Sequence, residues 1–166
     1  MHRTTNIAAS VFLALSVATA GGEAIADEGT FKGDWSLKGT SRPIEVDAEK
    51  VVLVRVEGPV KLVSSSGLAT AFDALCVGAS DQQTGGVARC VWTDQEGEKI
   101  FLELSSSIVG PMGTAREAEG TVIGGTGRYR GIEGSFHVDW LFIESHFDDS
   151  KFQGYVTKLE GSWKRP

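Results

Sequence analysis

The chain has 166 residues and a formal net charge of −6, with 21 glycines, four prolines and two cysteines. That length suits one domain able to bury a core without a structural metal. Acidic and basic residues are interspersed, which argues against nucleic acid or an anionic membrane surface as a partner.

The first residues read as a leader. Met1-His2-Arg3 supplies a positive start, and Ile7–Thr19 is an uncharged apolar run. It is short for a membrane span of roughly 20 residues and fits a signal peptide. Small-x-small sites end at Ala20 and at Ala26; cleavage after Ala26 leaves the more usual spacer, and Ala20 stays open. The expected division is a signal peptide over 1–26 and one domain over 27–166, exported to the periplasm or beyond, with no membrane span in the mature chain.

Phe31–Thr40 reads as a first strand with Trp35 and Leu37 on one face, broken by Ser41-Arg42-Pro43. Val51–Glu57 alternates as a strand, Gly58-Pro59 punctuates it, and Val60–Val63 resumes. Ala69–Ala79 and Gly86–Thr93 flank a polar turn, Asp81–Gly85. A hairpin centred near Gln83 sets Cys76 opposite Cys90, on one face with Phe72 and Trp92. An even cysteine count in an exported chain favours a bridge between them. CxxC spacing and a nearby histidine are both missing, so a metal or catalytic thiol pair is not indicated.

Asp94-Gln95-Glu96-Gly97 is a turn with glycine last, and Lys99–Ser105 returns from it. Thr114–Ile123 leads into a glycine-rich corner. Ile132–Ile143 splits into an apolar face, Ile132, Phe136, Val138, Trp140 and Phe142, and a polar face, Glu133, Ser135, His137 and Asp139. Glu144–Ser150 reads as an acidic loop and Phe152–Trp163 as the last strand. Eight or nine short strands with regular turn signals, and no capped helical stripe, predict an all-β sandwich or barrel. Pairing of the first and last strands would close a single antiparallel barrel of about eight strands and remove both edges.

The corner is the most specific stretch. Val122-Ile123-Gly124-Gly125-Thr126-Gly127-Arg128-Tyr129-Arg130-Gly131-Ile132-Glu133-Gly134 resembles the strand–corner–strand of the allene oxide cyclase and dirigent barrel superfamily. Cys90-Val91-Trp92-Thr93-Asp94 with its acidic glycine turn is similar to a group of small exported bacterial proteins with that barrel. The resemblance implies an antiparallel barrel around a central cavity, often in an oligomer, with no metal or organic cofactor. It implies either a binding or structural module or a cofactor-free cyclase or isomerase acting on an apolar small molecule. No catalytic residue of either plant group maps onto this chain beyond the corner, and none is carried over.

The corner is no phosphate loop. It has one residue too many for GxGxxG, and neither a Gly-Lys-Ser/Thr nor a helix start follows. Gly124, Gly125, Gly127, Gly131 and Gly134 instead read as a structural turn. His137 and Asp139 form the best proton-transfer pair only if their strand face points inward; alternation favours an outer, solvated face. His146 with Glu144, Asp148 and Asp149 lacks EF-hand spacing, so no metal is expected. Trp35, Phe72, Trp92, Phe136, Trp140 and Phe142 are core, or the lining of a lumen for an apolar ligand; both demand the same residue types.

Overall fold

The computed structural model describes residues 27–46, 49–81, 83–106, 117–146 and 151–166. The expected leader, residues 1–26, lies outside them. Eight strands follow one another: β1 (Asp27–Val46), β2 (Glu49–Ser64), β3 (Ala69–Asp81), β4 (Gly85–Asp94), β5 (Lys99–Ser106), β6 (Glu117–Gly125), β7 (Glu133–His146) and β8 (Lys151–Arg165). Each pairs antiparallel with the next, and β1 pairs with β8, so the sheet is a closed barrel. Closure removes every edge in the paired region, which is how a strand-only chain avoids pairing with others. Among the described residues no helix is long and apolar enough to cross a membrane.

Period-2 alternation sets the interior. Along β3 the buried residues are Phe72, Ala74 and Cys76; along β4, Cys90, Trp92 and Asp94; along β5, Ile100, Leu102 and Leu104. The aromatic rings meet in the middle. Trp35 lies 5.9 Å from both Trp92 and Trp140, and Trp92 lies 5.5 Å from Phe136. Trp35 and Trp92 are only 1% and 2% exposed, so the mid-barrel is filled by side chains and not by an open channel.

Rings of this size fit because glycines face them. Phe136 pairs across the sheet with Gly120 on β6 and Gly161 on β8. A Cβ at Gly120 would collide with the Phe136 ring, and one at Gly161 would strike the Ser135 carbonyl and the Phe136 Cβ. Gly39 makes the same room for Phe152, its partner on β8. A single bulge tunes the last strand. β8 carries one extra residue near Thr157 relative to both neighbours, so Val156 and Leu159, three apart, both point inward. The Thr157 hydroxyl donates to the Asp139 carbonyl at 3.2 Å, supporting the bulge.

Two expected breaks are absent. β1 runs through Ser41-Arg42-Pro43 to Val46. Its pairing with β8 ends at Thr40↔Lys151, so Pro43 is paired only with β2 and its missing N–H has no ladder to interrupt on the other side. β2 runs through Gly58-Pro59; β1–β2 pairing lapses only between Trp35↔Val60 and Lys38↔Glu57, while β2–β3 pairing continues. The expected acidic loop also begins later, because Glu144–His146 still pair with β8; Asp148 and Asp149 lie outside the described residues.

Cys76 and Cys90 are register partners and form a disulfide, with Cα atoms 4.0 Å apart and both side chains buried. A titration of the native, unreduced protein is expected to find no free thiol. Replacing both cysteines by alanine is expected to lower unfolding free energy by about 2–4 kcal/mol. An unchanged denaturant midpoint would contradict the bridge.

Candidate functional site

One end of the barrel gathers the β2–β3 and β4–β5 turns, the glycine corner and the end of β8. The corner is a single 3-10 turn, Gly127–Tyr129. It exists because Gly127 and Gly131 take φ of +52° and +75°, which other residues rarely adopt. It is tied down from both sides. Thr126 N–H donates to the Lys99 carbonyl (2.8 Å), Lys99 N–H donates to the Thr126 hydroxyl (2.9 Å), and Arg165 donates to the Arg128 carbonyl (3.0 Å). Tyr129 thereby lays its ring into the barrel end, buried and 5.8 Å from Phe72.

Asp94 is the centre of this end. It is the only buried charged side chain among the described residues. The end of β4 turns it inward, where its carboxylate accepts the Glu96 and Glu98 amides at 2.9 Å each and the Arg128 guanidinium. Burial pushes its carboxyl up, but the Glu98 amide, the Tyr129 hydroxyl and Arg128 outweigh it and hold it below the usual carboxylate range. Arg128 also reaches Glu96 at 2.8 Å and Glu98 at 3.5 Å. Tyr129 is pushed up, chiefly by burial. An anionic carboxylate saturated with donors is a poor proton acceptor, so this group fastens the corner to the β4–β5 turn and is no general base.

Around it lies a hollow of about 640 Å³, open to solvent on one side. Phe31, Phe72, Trp92, Ile132 and Phe136 form its apolar wall, while Leu68, Asp94, Glu96 and Arg128 also border it. Two other hollows, about 640 and 930 Å³, lie among polar wall residues such as Lys38, Arg55 and Glu57, or Thr121, Glu133 and Ser135. The largest of these three is thus not the most suited to a ligand; convergent aromatic walls favour the barrel end.

The sequence candidates divide accordingly. Trp35, Phe72, Trp92, Phe136 and Trp140 come together in one aromatic layer, with Phe72, Trp92 and Phe136 at the hollow; the Phe142 side chain lies outside the described residues. His137 and Asp139 share the outer face of β7. His137 Nδ1 meets Glu119 and Nε2 meets Asp139, each at 2.7 Å. The two carboxylates bind opposite ring nitrogens, so they share no point where a metal could sit, and no group of three metal-binding side chains is found among the described residues. Arg55, Arg89 and Glu103 are wall decoration, Arg89 pairing with Glu103 at 2.5 Å and Arg55 with Glu57 at 3.1 Å. Asp94 and Arg128 were not apparent as a linked pair from sequence. The available signal was an aspartate starting a tight turn and an arginine beside a buried aromatic, 34 residues apart.

No family model and no curated protein matches the chain. The chain is similar to the solved structure of the pterocarpan synthase dirigent protein GePTS1, at 13% identity and a TM-score of 0.45, over 95% of this chain and 99% of that one.

Two outcomes follow from the geometry. A Cβ at Gly127 would meet the Glu98 carboxylate as well as unfavourable φ. Gly127→Val is therefore expected to cost about 1–3 kcal/mol, read as a lowered melting temperature. His137 is raised above its ordinary value, first by Glu119 and then by Asp139, against burial. A raised pKa means stability present below the unfolded value and lost as pH rises through the folded one. His137→Gln is expected to destabilise by up to about 1 kcal/mol near pH 5.5 and by nothing measurable near pH 9, given its partial exposure. Equal effects at both pH values would refute that pairing.

Proposed function

We propose that this protein is an exported, non-catalytic binding module that takes an apolar small molecule at the corner end of its barrel. The observation that carries the reading is the hollow walled by Phe31, Phe72, Trp92, Ile132 and Phe136 above a filled mid-barrel. A cavity of this size with mostly apolar walls suits a small ligand, and the rings behind it are already ordered. The buried Cys76–Cys90 bridge supports export, since such bridges persist in oxidising compartments.

The cyclase or isomerase reading finds less support. It needs a proton-transfer group beside the substrate. His137 and Asp139 stand on the outer wall, and Asp94 is held anionic by its donors. Oligomerisation remains part of the proposal. The outer faces of β3 and β4 expose Leu75, Val77 and Val87 at 41–55%, an apolar surface that further copies of the chain would cover.

Leu68 stands at the rim, 69% exposed, and contributes little to the core. Leu68→Asp is expected to leave the melting temperature within a degree or two while weakening an environment-sensitive naphthalene dye about three- to tenfold. Native mass spectrometry of the exported protein is expected to show a co-purified small molecule. A dye that binds both proteins equally, or not at all, removes this end of the barrel as the site.

A further inference from the structure

The outer wall of β8, β1 and β2, toward the end opposite the corner, carries a hollow of a different character. Lys38, Thr40, Arg55, Glu57 and Lys151 border a space of about 640 Å³ there. Alternation turns these side chains outward. Leu37 is buried, Gly39 faces the Phe152 ring, and Val56 and Phe152 pack on the core, so the residues beside them face solvent. Register brings them together. Thr40 pairs with Lys151 on one side and with Arg55 on the other, and Lys38 pairs with Glu57. Neighbouring strands lie about 4.8 Å apart, so Lys151 and Arg55 stand roughly 10 Å apart across Thr40, and their long side chains can close on one group above it.

The charges around this hollow do not balance. Lys38 and Arg55 both turn to Glu57, at 3.4 and 3.1 Å. Lys151 has no ion-pair partner among the described residues, and the Thr40 hydroxyl has no hydrogen-bond partner among them. Three positive charges against one negative leave a local excess of two, in a chain whose formal charge is −6. A ligand carboxylate would cancel half of that excess. A phosphate monoester is close to a dianion at neutral pH and offers three acceptor oxygens. It matches the excess, and its oxygens suit a guanidinium fork, an ammonium and a hydroxyl that converge from three strands.

We infer that this face is an anion site that takes a phosphate monoester group, held by Arg55, Lys151 and Lys38 over the Thr40 hydroxyl, with Glu57 competing for two of the three cations. It stands apart from the apolar hollow at the corner end and does not depend on that reading.

Binding is read from backbone amide signals in NMR as inorganic phosphate, glycerol 3-phosphate and acetate are titrated into the intact, disulfide-bonded protein at low salt. Inorganic phosphate is expected to bind about three- to tenfold tighter than acetate, with shifts centred on Thr40 and its neighbours on β2 and β8, and to weaken as added salt screens the exposed cations. Lys151→Gln is expected to weaken phosphate about two- to fivefold, and Glu57→Gln to tighten it about as much, because Lys38 and Arg55 are then released to the ligand. Glu133→Gln removes the same charge from the pair with Lys164 beside the corner and is expected to leave binding unchanged. Vesicles carrying phosphatidic acid present the same monoester as a headgroup. Vesicle binding that Lys151→Gln weakens, with glycerol 3-phosphate no tighter than acetate, assigns the site to a lipid; the reverse assigns it to a soluble ester. Equal affinity for inorganic phosphate and acetate, shifts spread over all the surface cations, or an unchanged affinity in Glu57→Gln overturns the inference.

Discussion

Closure of an eight-stranded sheet fixes the space inside it, and everything else in this protein adjusts to that limit. The lumen of such a barrel is just wide enough to be filled by side chains. Here the filling is done by large rings, and a ring cannot lie against the wall wherever a facing residue carries a Cβ. Phe136 against Gly120, and Phe152 against Gly39, show the solution. A glycine in a strand normally weakens it. In these places the lost side chain is replaced by the face of an aromatic ring, so the wall stays covered. Much of the chain's high glycine content thus serves packing inside strands, and only part of it serves turns.

The same limit shapes the barrel end. With the middle occupied by Trp35, Trp92 and Phe136, the end must be sealed or left as a hollow. The chain does part of each. Tyr129 and Ile132 enter from the corner, and the corner is fixed through Arg128 to Asp94. One carboxylate therefore orders two separate connections. It accepts the amides of its own turn and anchors the turn 34 residues later. Its low pKa follows from that service: each donor that fixes the geometry also stabilises the anion.

The fold was largely legible because alternation is a local signal. Cys76 opposite Cys90, Trp92 inward, the apolar face of Ile132–Trp140 and closure by the first and last strands could all be read from period two and turn residues. Breaks were harder. Pro43 and Gly58-Pro59 signal interruption by themselves, yet both sit where one neighbouring ladder is already absent or lapses. Whether a proline breaks a strand depends on pairing by other strands, which no local window contains. The packing use of Gly120 and Gly161 was hidden for the same reason, since their partner Phe136 lies on neighbouring strands. The Asp94–Arg128 link was out of reach too, because it joins two turns only after the barrel has closed.

The distribution of polar groups bears most directly on what the protein can do. Catalysis on an apolar substrate needs a group that can give or take a proton within the dry part of the site. His137, Asp139 and Glu119 have that chemistry but stand in partial contact with water on the outer faces of β7 and β6. Inside, the ionisable groups at the hollow are locked into a network that suppresses exchange: Asp94 is kept anionic, Arg128 is kept charged, and burial pushes Tyr129 up. What the interior does offer is rigid aromatic surface, with the indole N–H groups of Trp35, Trp92 and Trp140 closed off from solvent. The ionisable groups at this end are thus spent on holding the corner and the β4–β5 turn together.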